Sequence, residues 1–189
     1  MEDAAAWAAW LAFRHATSDG VWLALAKRGG QPPTRVRYQE ALEEALCYGW
    51  IDGQVRRFDA DSYRQRFTPR RKRSAWSQRN VDLAERLIGE GRMKPPGEAA
   101  IEQARSDGRW EAAYAGAATI ELPDDLAEAL AAEPKAAAMF AVLTSQNRYA
   151  ILYRLATAKR SDTRSRRLAE FVEMLARGET IHPQQRRPE

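Results

Sequence analysis

Hydrophobic and polar positions change their period several times along this chain. In the first eighty residues, helical spacing alternates with short apolar runs and with strict polar–apolar alternation. This pattern predicts helices over residues 4–16 and 38–48, and strands over 21–26, 50–57 and 62–68. The turn Phe58 to Asp61 joins the last two strands. Together the strands predict a small antiparallel sheet flanked by helices.

The alternation is clearest in the last of these strands. Tyr63, Gln65 and Phe67 share one face, because successive side chains of a strand point to opposite sides. Arg64 and Arg66 share the other face. The pattern therefore predicts two guanidinium groups side by side on one surface of the sheet.

From Ser77 onward the pattern is helical. Ser77 is a suitable N-terminal cap, and prolines or serines open most of the helical segments that follow. Helices are predicted over 78–88, 95–104, 123–132, 134–143, 145–158 and 161–177. The expected class is α+β: an α+β domain over 1–114, an all-helical module over 122–178 and a disordered tail over 179–189. The segment 115–121 is the expected linker.

Residues with metal-binding or redox chemistry are few. Cys47 is the only cysteine among 189 residues, so the chain has no internal disulfide, and its apolar surroundings favour a buried core position. His15 and His182 lie near opposite ends of the sequence, without the spacing of metal ligands. The glycines do not form a phosphate-binding loop. We expect neither a metal nor a cofactor.

The apolar runs are too short to cross a membrane, for which about 18 to 20 residues are needed. The first residues are acidic, and Arg14 and His15 interrupt the apolar stretch that follows. This start does not have the form of a signal peptide. We therefore expect a cytoplasmic protein without a membrane span.

Charge is concentrated in one stretch. Residues 54–80 contain nine arginines or lysines and two acids, whereas residues 81–147 contain six and twelve. Aromatic residues are interleaved with these basic residues, as in proteins that hold anionic partners. We predict a ligand-binding surface formed by Trp50, Asp52, Arg64, Arg66, Arg70, Arg71 and Trp76.

The aromatic and acidic members of this set have alternative roles. Trp50 and Trp76 are expected either in the core or in the wall of the binding surface, whereas Trp22 is expected in the core. Asp52 is expected to be a turn or ion-pair residue, a group that orients Arg66 or Arg70, or a catalytic base.

Four blocks of sequence carry a resemblance to a known family: EALCYGWIDG from Glu44, RQRFTPRRKRSAWS from Arg64, LPDDLAEALAAEPKAAAMF from Leu122 and NRYAILYRLATAKRSDTRSRRL from Asn147. Over residues 7–178 the chain resembles the YdeI/OmpD-associated family, also called bacteriocin-protection proteins. The resemblance implies a bacterial stress-protection protein, with a mixed α/β first part and a helical second part. It also implies association with a porin and resistance to antimicrobial peptides, and it brings no catalytic residue or cofactor.

Three hypotheses of function follow. The first is a non-enzymatic binding protein whose basic, aromatic surface holds a small anionic ligand or a protein partner. The second is a protein that binds single-stranded nucleic acid through the same surface. The third is an enzyme acting on a small anionic substrate, with Asp52 as base and Arg66 or Arg70 as anion clamp.

Overall fold

The computed structural model describes residues 1–29, 34–117 and 119–188. The chain forms two compact units, Met1–Ala113 and Tyr114–Glu189. The predicted α+β class is confirmed, with a three-stranded antiparallel sheet among the helices of the first unit and helices in the second. The division at 1–114, 122–178 and 179–189 stays a prediction. The glycine- and proline-containing segment 28–33 is expected from the sequence to be a loop, and parts of this loop and of the expected linker 115–121 lie outside the described residues.

The first unit has four helices and three strands among its described residues. They are α1 (Ala4–Arg14), β1 (Val21–Ala26), α2 (Tyr38–Cys47), β2 (Trp50–Arg57), β3 (Ser62–Pro69), α3 (Gln78–Gly89) and α4 (Pro95–Ser106). The strand order is β1-β3-β2, with both pairs antiparallel. The hairpin between β2 and β3 turns at Asp59, whose Oδ1 accepts the backbone N–H groups of Asp61 and Ser62 at 3.0 and 2.6 Å.

A β-bulge interrupts the pairing of β2 with β3. Two residues of β2, Gly53 and Gln54, lie opposite a single residue of β3, Arg66. Beneath the bulge, the buried Gln65 side chain donates a hydrogen bond from Nε2 to the carbonyl oxygen of Gly53, at 2.8 Å. Bulges bend a strand and change the direction of its side chains, and they are frequent beside binding sites.

Helices α1 and α2 contribute to the core on one face of the sheet. The buried residues there are Trp7, Leu11, Leu23, Leu25, Val36, Ala41, Ala45, Trp50 and Phe67. Trp7 also donates its indole N–H to the carbonyl oxygen of Ala41 in α2, at 3.0 Å, which ties the two helices together. The other face of the sheet carries Trp22, Arg64 and Arg66.

A second core of the first unit forms where α2, α3 and α4 meet. Cys47 lies there at the end of α2, and burial raises the pKa of its thiol to about 11, which confirms the predicted core position. Gly97 in α4 lies so close to α2 that an added Cβ would collide with the carbonyl oxygen of Cys47. The close approach of the two helices therefore requires glycine at this position.

The second unit is helical, as predicted. Its helices are α5 (Asp124–Ala132), α6 (Pro134–Ala141), α7 (Ser145–Ala156) and α8 (Ser161–Ala176). Arg164 in α8 holds the Asp125 carboxylate with two hydrogen bonds of 2.8 Å, and this pairing lowers the pKa of Asp125. The buried Asn147 donates to the carbonyl oxygen of His182 at 3.0 Å and to the Gln184 side chain at 2.9 Å, so α7 contacts the chain beyond α8.

None of the helices in the part of the chain that the structure describes has the length and apolar character needed to cross a bilayer.

Candidate anion-binding site

A cleft of ≈ 760 Å³ opens on the face of the sheet that carries Arg66. The β2 bulge forms part of its wall, together with the ends of β1 and β3 and the residues that follow β3. Four arginines and one aspartate line it: Arg56, Arg66, Arg70, Arg71 and Asp19. The cleft is therefore strongly positive, since guanidinium groups remain protonated at all ordinary pH values.

Trp22 is the aromatic centre of this cleft. The guanidinium carbon of Arg56 lies 4.3 Å from the ring centroid of Trp22, and that of Arg66 lies 5.9 Å from it. The prediction of Trp22 as a core residue is wrong, because its side chain is partly exposed and lines the cleft. The apolar run around Trp22 is typical of a strand buried on both faces. In the structure its alternate residues Leu23 and Leu25 are the buried ones.

Gly20, directly before β1, leaves space for the Arg66 side chain. Its backbone φ of +140° lies in a region that residues other than glycine rarely adopt. A Cβ at this position would lie 2.7 Å from Cγ2 of Thr68 and 2.8 Å from a terminal nitrogen of Arg66. The absence of a side chain at residue 20 therefore leaves room for the Arg66 guanidinium.

Arg70 and Arg71 follow β3 directly and close the cleft on that side. The Arg70 guanidinium lies 3.6 Å from the ring centroid of Trp76, and its Nη1 donates to the carbonyl oxygen of Ala75 at 3.2 Å. Trp76 is only 2% exposed, so it positions Arg70 from the core. The backbone of Arg71 is held in a turn by its N–H bond to Oγ of Ser74 at 3.1 Å, while its side chain is exposed.

Arg64 lies on the predicted face of β3 but outside the cleft lining. Its guanidinium carbon lies 4.0 Å from the ring centroid of Phe58, near the hairpin turn. The predicted alternation along β3 is thus present, with Gln65 and Phe67 buried and Arg64 exposed. Alternation alone gave the face of Arg64 correctly, but not the extent of the cleft.

Trp50 and Asp52 lie on the other face of the sheet. Trp50 is 1% exposed and belongs to the core, which is one of its two expected places, so it does not line the predicted binding surface. Asp52 pairs with the buried Phe67 in the β-ladder, and its carboxylate accepts the Tyr38 hydroxyl at 2.8 Å. Burial, together with this carboxylate, raises the pKa of Tyr38. Asp52 therefore does not line the cleft with Arg66. The enzyme hypothesis requires both residues in one cleft, so this arrangement contradicts it.

The ionic partners of the cleft arginines decide how much of their positive charge is available to a ligand. Among the residues that the structure describes, no ion pair involves Arg56, Arg66 or Arg71. In a second cavity of ≈ 460 Å³, by contrast, Arg92 is held by Glu44 at 2.7 Å. The charge of the main cleft is therefore available to a ligand, whereas that of the second is largely balanced.

Seven lining residues of the cleft were absent from the predicted site, and Arg56 and Trp22 are the two with the largest side chains among them. Arg56 carried a signal, since it lies in the same basic stretch and in a predicted strand. Trp22 carried none, because its neighbours in sequence are all apolar. Residues 1–29, 34–117 and 119–188 contain no group of three histidine, cysteine, aspartate or glutamate side chains that could hold a metal ion.

The first unit coincides with a known sequence family. A family model described as a domain of unknown function (DUF8412) matches residues 1–100, which is more than half of the chain. The chain belongs to this DUF8412 family. The cleft and two of the four sequence blocks quoted above, those from Glu44 and Arg64, lie within the DUF8412 match.

The second unit matches a different model. Residues 119–178 match the family described as bacteriocin-protection, YdeI or OmpD-associated. This match confirms the predicted resemblance at the level of the family, and it covers α5 to α8. No curated protein and no solved structure matches the chain significantly.

Proposed function

We propose that the first unit is a non-enzymatic binding module that holds an anionic ligand in the cleft. One observation carries this proposal: Arg56, Arg66 and Arg71 converge on the same cleft as Trp22 without an ionic partner among the described residues. Like charges at such proximity repel one another, and a bound anion would relieve this repulsion.

The chemistry of the cleft favours phosphate or carboxylate groups. A guanidinium group offers a planar fork of N–H donors, which matches two oxygens of one phosphate or carboxylate. Stacking on Trp22 holds the Arg56 fork in place, so less side-chain entropy is lost when a ligand binds. The volume of ≈ 760 Å³ is in the range of sites for small molecules or for part of a larger chain.

The lining also supports binding rather than catalysis. Four of the five charged residues in the lining are arginines, which stay protonated at ordinary pH and cannot act as bases, and Asp52, the expected base, lies on the other face of the sheet. The similarity of the second unit to bacteriocin-protection proteins agrees with a protective role. In such a role the cleft would be the part of the protein that binds the anionic ligand.

Calorimetric titration with pyrophosphate and with citrate tests the proposal. Arg66→Gln removes a charged donor from the cleft, and we expect it to weaken binding by about 10- to 100-fold, since a hydrogen bond to a charged group contributes roughly 1.5–3 kcal/mol. Arg64→Gln is the matched control, because Arg64 lies on the same face of β3 outside the lining. It should weaken binding less than about threefold, as expected for screened charge alone. Equal losses in the two variants, or no binding of either anion, would refute the proposal.

A further inference from the structure

Strand β2 forms a free edge of the sheet beside the cleft. Its last five residues, Gly53–Arg57, are exposed, whereas the other edge strand, β1, gives the N–H of Ala26 to the carbonyl oxygen of Val36 at 2.9 Å. In the described part of the chain, no backbone hydrogen bond joins Gly53–Arg57 to a segment other than β3. An edge strand directs alternate N–H and C=O groups outward, where they can pair with another strand.

The two faces of this edge have different chemistry. Arg56 pairs with Arg64 in the ladder and reaches over Trp22, so it lies on the face of the cleft. Val55 pairs with Gln65 on the opposite face and is 62% exposed, a large fraction for an apolar side chain. An added strand would therefore meet positive charge on one face and an apolar side chain on the other.

Charge argues against a second copy of this chain as the occupant. Pairing two β2 edges would bring Arg56 and Arg57 of both copies into one sheet, and the exposed segment Gly53–Arg57 contains no acidic residue to offset their charge. Like charges at facing positions of a β-ladder destabilise it. An acidic strand removes this repulsion, and its charge complements the arginines of the cleft.

We propose that an extended acidic segment of a partner protein adds to β2 as a fourth strand. Its residues alternate, with carboxylates directed to Arg56 and the cleft and apolar side chains directed to Val55. Backbone pairing supplies the affinity, and the alternating side chains supply the specificity. This inference rests on the proposed anion-binding function, since the cleft must accept the carboxylates.

A blocked peptide of alternating glutamate and valine tests this inference with the unmodified protein. Two further peptides carry backbone N-methyl groups, one on every valine and the other on every glutamate, so all three peptides have the same charge. Only one set of N–H groups can face β2, since successive residues of a strand alternate. We expect one methylated peptide to bind about tenfold more weakly than the unmethylated peptide, and the other to change less than about threefold.

The outcomes separate this inference from the proposed function. If pyrophosphate binds and both methylated peptides bind alike, the strand-addition inference is wrong and the anion site stands. If neither pyrophosphate nor any peptide binds, the proposed function fails and the inference with it. If an oligothymidylate binds more tightly than the unmethylated peptide at the same salt concentration, the surface is a nucleic-acid site and the inference is overturned.

Discussion

Gly20→Ala perturbs the cleft through its backbone, without changing a charge. The new Cβ would lie 2.7 Å from Cγ2 of Thr68, 2.8 Å from a terminal nitrogen of Arg66 and 2.8 Å from the carbonyl oxygen of Phe67. The Arg66 side chain can move away from this methyl group, but the Phe67 carbonyl belongs to the central strand and cannot. The φ of +140° is also unfavourable for alanine.

The magnitude follows from these two terms. Adopting a glycine-only backbone conformation costs alanine on the order of 1–3 kcal/mol. Forcing a methyl group against a packed backbone adds roughly 1–3 kcal/mol. The residues before β1 can shift and relieve part of this strain. We therefore expect Gly20→Ala to lower the free energy of unfolding by about 3 kcal/mol.

Gly108→Ala is the matched control for this variant. Gly108 also has a positive φ, +73°, but apart from its neighbours in the chain no described atom lies within 4 Å of the position that the new methyl group would take. Its expected cost is the left-handed conformation alone, about 1–2 kcal/mol. Urea unfolding of both variants gives the difference in stability, and titration with pyrophosphate gives the effect on the cleft.

Binding should separate the two variants even more clearly than stability. Gly20→Ala displaces Arg66, so we expect it to weaken pyrophosphate binding several-fold, whereas Gly108→Ala should leave binding unchanged. The reasoning is refuted if the two variants lose the same stability within about 0.5 kcal/mol. It is also refuted if Gly20→Ala retains the wild-type affinity for pyrophosphate.

Two further predictions concern packing and pH. Gly97→Ala should lower the free energy of unfolding by about 2–3 kcal/mol, because its methyl group collides with the end of α2. Gly89→Ala in α3 is the control, since its methyl group has open space, and it should leave the free energy of unfolding unchanged or raise it by up to about 1 kcal/mol. Urea titrations of both variants measure these changes. The Arg164 pairing lowers the pKa of Asp125 in the folded state, so its stabilisation is present above the unfolded value of about 3.9 and is lost as the pH falls through the folded pKa. Asp125→Asn should therefore lose less stability than the wild type between about pH 5 and pH 2, and an equal loss would contradict this account.

Much of the fold follows from local rules that act within a few residues. Ser77 was expected to cap a helix, and its Oγ accepts the backbone N–H of Asn80 at 3.2 Å. The alternation along β3 likewise needs only the period of a strand, and it placed Gln65 and Arg66 on the correct faces. Such features are predictable because no distant residue has to be known.

The position of Asp52 depends on information that is not local. Asp52 lies two residues after Trp50 in β2, so the two side chains point to the same face of the sheet. Because Trp50 is buried in the core, Asp52 faces the core as well. The sequence left Trp50 open between core and binding wall, and Asp52 was therefore open as well. Its pairing partner also depends on the register, which the bulge shifts by one residue between Asp52 and Val55.

The bulge explains why the binding surface extends beyond the basic run. If the same sequence paired with β3 without a bulge, side chains would alternate regularly along β2, and Val55 would face the cleft in place of Arg56. After Gln54 the bulge exchanges the faces to which odd- and even-numbered residues of β2 point, so Arg56 lies with Arg66 beside Trp22. The buried Gln65 satisfies the Gly53 carbonyl group that this irregular pairing exposes to the core. One uncharged side chain beneath the sheet thus supports the arrangement of positive charge above it, which neither charge counting nor aromatic counting along the sequence can reveal.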